Sequence, residues 1–237
     1  MDALSKNKIK WIRSLRLKKN RDAEGLFVVE GAKMVREILN NSFADVICIV
    51  TTDLTLNSDA LVYQTDPPTM KTISGLSNPS SLLAVVKKPN IQHKNTDWTL
   101  ALDGVQDPGN MGTIIRTADW FGITDIVCSN NTVDCFNPKV VQATMGSIFR
   151  VNVRYEPLVD YFGQDSRPVF GALLEGEKMQ NVDAPEKGIL LMGNEGNGIS
   201  EELNSAITHP VHIQGKGGAE SLNVAVATGI LLSKLAL

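Results

Sequence analysis

The sequence predicts an α/β protein in two parts: a small α/β/α domain, then a larger domain built on a parallel sheet. Three observations carry this. Apolar runs of strand length alternate with segments of helical periodicity along most of the chain. The alternation is interrupted once, by the polar, proline-containing stretch Lys87–Asp97, which reads as a linker. Beyond it the apolar runs are short and continuous, the pattern of parallel strands buried on both faces.

The first part, residues 1–90, starts with a basic helix. Ile9, Ile12 and Leu15 recur at about helical spacing over Lys6–Lys19, and Lys6, Lys10 and Arg13 form a stripe. A strand is expected at Leu26–Val29, a helix at Gly31–Asn40 and a strand at Val46–Val50. A short strand at Leu61–Tyr63, a helix starting near Pro67 or Pro68, and a strand at Leu82–Val86 complete it. In the second part, residues 97–237, strands are expected at Trp98–Leu102, Asp125–Cys128, Val169–Leu173, Ile189–Met192 and Pro210–Ile213. Helices are expected at Asn110–Phe121, Pro138–Met145, Ser200–Ile207 and Leu222–Leu235.

Composition narrows the function classes. Hydrophobic residues make up 43% and charged residues 21% of the 237, the balance of a globular protein with its own core. The three cysteines form no CxxC pair, which fits reduced thiols in a cytosol-like compartment. His209 and His212 have no cysteine or carboxylate nearby in sequence to complete a metal set, so no metal is expected. The basic N-terminus lacks the apolar core of a secretory signal. The apolar run from Leu222 is shorter than a bilayer span and carries Asn223, Thr228 and Lys234. A cytoplasmic protein without membrane attachment is the expectation. Net charge is −3, yet residues 1–21 hold eight basic side chains against Asp2, leaving the remainder at −10. A basic arm on an acidic body fits an anionic partner, and equally a solvated helix face.

Three clusters sit where predicted strands end, the place open α/β sheets put their ligands. The first spans Leu102–Gly122. A Gly/Pro-rich turn follows Asp103, Asn110 suits a helix N-cap, and Arg116 stands among Ile114, Ile115, Ala118 and Phe121. The second is Gly193–Gly198, GNEGNG, before a helix expected to be capped by Ser200. Its glycine order is not that of a dinucleotide fold, which disfavours a nucleotide-dependent oxidoreductase, and turn chemistry does not require Glu195. The third runs from Ile213 to Val226, with three loop glycines and then Ser221-Leu222-Asn223. Ser221 as N-cap explains itself; Asn223, a poor helix former inside the expected first turn, is left over.

Taken together, the clusters resemble the three signature motifs of the SpoU branch of the SPOUT methyltransferases. Asn110, Gly112 and Arg116 match N-x-G-x-x-x-R. Gly193, Glu195, Gly196 and Gly198 match the G-x-E-G-x-G turn, and Ser221 to Val224 match S-L-N-V. Asn137-Pro138-Lys139 through Gly146 resembles the segment between motifs, and Phe27–Gly31 resembles part of a ribosomal-protein-like RNA-binding domain that many members carry. The family often has proline where this chain has Gln214.

The resemblance implies a parallel-sheet domain with a C-terminal trefoil knot. It implies a homodimer, and transfer of a methyl group from S-adenosylmethionine to a ribose 2′-hydroxyl of structured RNA. The N-terminal domain favours ribosomal over transfer RNA. Gly193, Asn194, Ile213, Gly215 and Leu222 would bind the cofactor. Arg116, Asn110, Glu195, Ser221 and Asn223 would form the catalytic set. Arg116 would meet phosphate and the developing alkoxide, rather than act as a base, since a guanidinium stays charged. Glu195 would fix either its loop or Arg116. The alternative is a non-catalytic RNA-binding homologue acting in ribosome assembly.

Overall fold

The computed structural model describes residues 2–41, 44–53, 55–56, 58–91, 96–183 and 185–236, so residues 92–95 of the expected linker and Leu237 lie outside it. The chain forms two compact units, one of residues 1–90 with 136–149, the other of residues 91–135 with 150–237.

In the first unit the expected single basic helix is two. After β1 (Asp2–Ala3), α1 (Lys6–Ser14) ends at Leu15, and α2 (Lys18–Glu24) begins after Leu17, whose backbone is extended at φ −89°, ψ 129°. The break has a physical cause. Ile12 and Leu15 are buried in the core. Arg21 is buried with them, donating from Nη1 to the carbonyls of Leu15 and Arg16 at 2.9 and 2.7 Å. A buried guanidinium thus caps the orphan carbonyls at the end of α1. Gly25, at φ +65°, ends α2 in the left-handed conformation that a Cβ disfavours. Then follow β2 (Leu26–Glu30), α3 (Ala32–Asn41), β3 (Val46–Thr51), β4 (Val62–Gln64), α4 (Pro67–Ile73) and β5 (Leu82–Lys87). The sheet order is β1-β4-β3-β5-β2, antiparallel where β5 meets β3 and β2. Ile12, Leu15, Val28, Val50, Ile73 and Leu83 share one core.

The second unit begins with β6 (Trp98–Leu102), α5 (Pro108–Trp120) and β7 (Asp125–Cys128). The following residues, 136–149, belong to the first unit: α6 (Pro138–Thr144) packs on β2, and Phe27 meets Phe136 and Phe149 at 4.8 and 5.8 Å. β8 (Asn152–Tyr155) and α7 (Leu158–Gln164) come next, neither anticipated from sequence. β8 alternates partly buried polar and apolar residues and reads as a loop without its neighbour β7. β9 (Val169–Lys178), β10 (Gly188–Met192), β11 (His209–His212) and α8 (Val224–Leu235) complete the unit. The segment Glu201–Ala206, expected as an α-helix, is a 3₁₀ helix.

All six strands pair in parallel, in the order β11-β9-β10-β6-β7-β8. Every residue of β6, β7 and β10 is buried. From β6 the chain runs outward to β7 and β8, while β10 and β9 lie on its other side. The C-terminal ends of β6 and β10 therefore flank the switch point where such sheets hold ligands. Among the described residues no helix is long and apolar enough to cross a membrane.

Candidate active site at the ends of β6 and β10

β6 and β10 are in register, Leu102 beside Met192, and the Asp103 N–H donates to the Met192 carbonyl at 2.9 Å. The segments leaving both strands are thereby brought side by side. Asp107, not Asn110, caps α5: its carboxylate accepts from the Asn110 backbone N–H at 2.8 Å, and Pro108 follows where its missing N–H costs nothing. The Asp-Pro pair was a readable signal for this start, one turn earlier than expected. Asn110 is thus in the first turn, and its side chain is spared for other contacts.

Those contacts join all three clusters. Glu195 accepts four N–H groups: Asn110 Nδ2 at 3.0 Å and the Asp107 backbone at 3.2 Å on Oε1, the Gln106 backbone at 3.3 Å and Asn194 Nδ2 at 3.4 Å on Oε2. Asn110 Oδ1 in turn accepts from Asn223 Nδ2 at 2.7 Å. Asn223 Oδ1 accepts from the Ala225 and Val226 N–H groups at 2.9 and 3.3 Å. The amide orientations follow from the ends of the chain of bonds. The α8 N-terminus offers only donors, so Asn223 faces it with oxygen and turns its NH₂ to Asn110. Asn110 then turns its own NH₂ to a carboxylate. Burial works to raise the Glu195 carboxyl. The N–H groups of Asn110, of its own backbone and of Asp107 and Gln106 outweigh that, holding it below its ordinary value. Glu195 fixes its loop to the β6–α5 segment; among the described residues it makes no hydrogen bond or ion pair with Arg116.

Several expectations change. Asn223, not Ser221, is the N-cap of α8, which starts at Val224; the residue left over in the sequence is the one that begins the helix. Ser221 is exposed. The Asn194 side chain is spent on the protein's own backbone: Oδ1 accepts from Gly196 and Asn197 at 2.9 and 3.0 Å within the loop, and Nδ2 donates to the Gly104 carbonyl after β6 at 2.7 Å. Gly193 is required by the loop itself, since a Cβ there would lie 2.2 Å from the Gly198 carbonyl carbon and 2.3 Å from the Ile199 nitrogen. Arg116 is exposed with no hydrogen-bond or ion-pair partner among the described residues. Six residues beyond Asn110, it lies about 9 Å along the helix and about a third of a turn around it. The structure therefore groups Asn110, Glu195, Asn194 and Asn223, and leaves Arg116 apart on an exposed stripe with Thr113 and Trp120, the last 86% exposed.

The remaining candidates suit an adenosyl group. Among the described residues the backbone of residues 214–221, including Gln214 and Gly215, makes no hydrogen bond. A Cβ at Gly215 would meet nothing within 4 Å. Ile213 is half-buried and Leu222 is 48% exposed. Apolar walls beside open backbone donors and acceptors are what a nucleoside-containing ligand needs. Among the described residues no group of three or more His, Cys, Asp or Glu is arranged to hold a metal. His209 Nδ1 meets Thr208 Oγ1 at 2.8 Å and His212 Nδ1 meets the Gly176 carbonyl at 2.9 Å.

The chain matches known proteins. Residues 97–233 match the SpoU rRNA Methylase family and residues 6–84 match the MRM3-like substrate binding domain. The 23S rRNA (guanosine(2553)-2′-O)-methyltransferase RlmP of Bacillus subtilis (strain 168) is 31% identical over 243 residues, covering 99% of this chain and 98% of that one. The AdoMet-bound rRNA methyltransferase of Sinorhizobium meliloti is 32% identical at a TM-score of 0.83, covering 99% and 95%. A Porphyromonas gingivalis chain assigned to the TrmH family of RNA methyltransferases is 42% identical at a TM-score of 0.85, covering 98% and 97%. The chain belongs to the SpoU rRNA methylase family. It is an S-adenosylmethionine-dependent RNA 2′-O-methyltransferase.

Proposed function

We propose that the chain methylates a ribose 2′-hydroxyl in ribosomal RNA. The observation that carries this is the bonded relay Glu195–Asn110–Asn223, which links the three motif segments into one site. The substrate class is supported by the rRNA names of the relatives and by the N-terminal unit. S-adenosylmethionine, held by Gly193, Ile213 and Leu222 with the backbone near Gly215 and Asn194, supplies a methyl group on a sulfonium.

The protein's own groups act by position and charge. The relay holds Asn110 and Asn223 at fixed orientation, so that with Ser221 they orient the ribose, and orientation alone removes much of the barrier. Arg116, exposed and without a hydrogen-bond or ion-pair partner among the described residues, meets the target phosphate and the alkoxide that forms as the hydroxyl loses its proton. The chain is a cytoplasmic homodimer joined through the α5–α8 face, where Trp120 is 86% and Val226 53% exposed, and each site lies near the partner subunit. A trefoil knot brings the 213–223 segment to the switch point. Residues 1–90 grip RNA and residues 97–237 carry the chemistry.

The test is methyl transfer from tritiated S-adenosylmethionine to 23S and 16S ribosomal RNA fragments and to transfer RNA, with ribose-methylation mapping in cells with and without the gene. A ribosomal site that disappears with the gene is the expected result. Methylation confined to transfer RNA overturns the substrate class. A folded protein with no affinity for S-adenosylmethionine leaves only RNA binding.

A further inference from the structure

Asp103 is a buried carboxylate that the chemistry above does not use. It stands at the C-terminal end of β6, 5% exposed, and among the described residues no lysine or arginine pairs with it. A buried unpaired carboxylate is costly unless several donors satisfy it. Its donors are both on one residue, ninety-seven positions away: Oδ2 accepts the Ser200 backbone N–H at 2.8 Å and the Ser200 hydroxyl.

The position of Ser200 gives this contact a meaning. Residues 193–200 form a loop that already satisfies itself: the Asn194 and Gly198 backbones exchange hydrogen bonds at 2.9 and 3.0 Å, and Gly193 lies directly beneath Gly198 and Ile199. A turn so closed needs no charged anchor to exist. It is nevertheless tied to the segment after β6 at three points: Asn194 to the Gly104 carbonyl, Glu195 to residues 106–110, and Ser200 to Asp103. The segment providing these anchors is itself braced, since the Gly104 N–H donates to Ser129 Oγ at 2.8 Å and Thr132 Oγ1 at 3.1 Å. Asp103 holds the far end of the loop, and Glu195 holds its middle.

We infer that Asp103, through Ser200, is a positioning residue for methyl transfer: its carboxylate clasps the outgoing end of the 193–200 loop so that the cofactor-side backbone at Gly193 and the Glu195–Asn110 contact are set together. The inference rests on the methyltransferase reading of this site. It assigns Asp103 no contact with substrate or cofactor.

The test compares Asp103→Ala, Asp103→Asn and Ser200→Ala in the full chain. Calorimetry reads S-adenosylmethionine affinity, amide hydrogen exchange reads residues 194–200, and steady-state kinetics separate kcat from the KM for RNA. Asp103→Ala strands two donors and is expected to weaken cofactor binding by about tenfold or more, with faster exchange across the loop. Ser200→Ala keeps the backbone donor and is expected to cost about threefold. Asp103→Asn presents one oxygen to both donors and is expected to recover most of the loss. In all three the KM for RNA stays within about twofold of wild type, because the clasp lies on the cofactor side. If Asp103→Ala does not fold, Ser200→Ala decides. Cofactor affinity and loop exchange equal to wild type in folded Ser200→Ala or Asp103→Ala overturn the clasp. A folded wild type that binds no S-adenosylmethionine overturns the methyltransferase reading instead, and the two failures are told apart because the first leaves wild-type binding intact.

Discussion

Replacing Glu195 by glutamine tests the relay most directly, because it changes almost no volume. The carboxylate takes two donors on each oxygen. A glutamine has one acceptor oxygen. It is best placed on the Oε1 side, where Asn110 and Asp107 donate at 3.0 and 3.2 Å. Its NH₂ then faces the N–H groups of Gln106 and Asn194, which are donors as well. Two hydrogen bonds are lost, and both are long, at 3.3 and 3.4 Å. Glu195 is solvent-exposed, so water compensates in part and the low end of the usual range applies, about 0.5–1 kcal/mol each. The sum of about 1–2 kcal/mol corresponds to roughly a 5- to 30-fold slower single-turnover methyl transfer. A double-mutant cycle with Asn110→Ala should be non-additive, since Asn110→Ala removes the donor that holds the glutamine oxygen on the Oε1 side and frees it to turn toward Gln106 and Asn194. A Glu195→Gln protein that transfers methyl within twofold of wild type would falsify the relay, as would strict additivity in the cycle.

Four further outcomes follow from the same geometry. Arg116→Ala should leave folding and cofactor affinity intact while lowering turnover by ~10²–10³; a folded variant with near-normal turnover refutes the phosphate and alkoxide role. Asn223→Asp keeps the α8 cap but turns a second acceptor toward Asn110, so thermal unfolding should hold steady while methyl transfer falls; a parallel fall in both would show that only the cap matters. Removing residues 1–21 would unfold the first unit, because Ile12, Leu15 and Arg21 are buried, so the basic surface is tested by neutralising the exposed Lys6, Lys10, Arg13 and Lys19. The log–log salt slope of RNA binding should then drop by roughly three units at ~0.7 per phosphate, and an unchanged slope shows a merely solvated face. The pH dependence has a definite sign: the Glu195 carboxyl is held below its ordinary value, so its ties are present above the unfolded value of about 4.3 and are lost as pH falls through the lower folded one. Cofactor affinity should be flat from pH 8 to 5 and fall only in stronger acid; a fall centred near pH 6 contradicts this assignment.

The sequence by itself determined much of the architecture. Continuous apolar runs such as Leu100–Leu102 and Ile189–Met192 announce strands buried on both faces, and the strand at Asp125–Cys128 has the bounds its periodicity predicts. The motif spacing picked out Asn110, Glu195 and Asn223, the last two being residues that turn and helix chemistry did not require.

Tertiary structure decided what each of them touches. Local propensity cannot show that Arg21 would be buried to cap α1, so Lys6–Lys19 read as one helix and all eight charges of residues 1–21 as available. It cannot show that residues 136–149 pack with the first unit, because that rests on Phe27 meeting Phe136 and Phe149 across more than a hundred residues. Nor can it pair Glu195 with Asn110 rather than with Arg116, or Asp103 with Ser200. Those bonds exist because β6 and β10 become neighbours in register, and sheet order is set by burial of whole faces, a property of the assembled core that no short window of sequence contains.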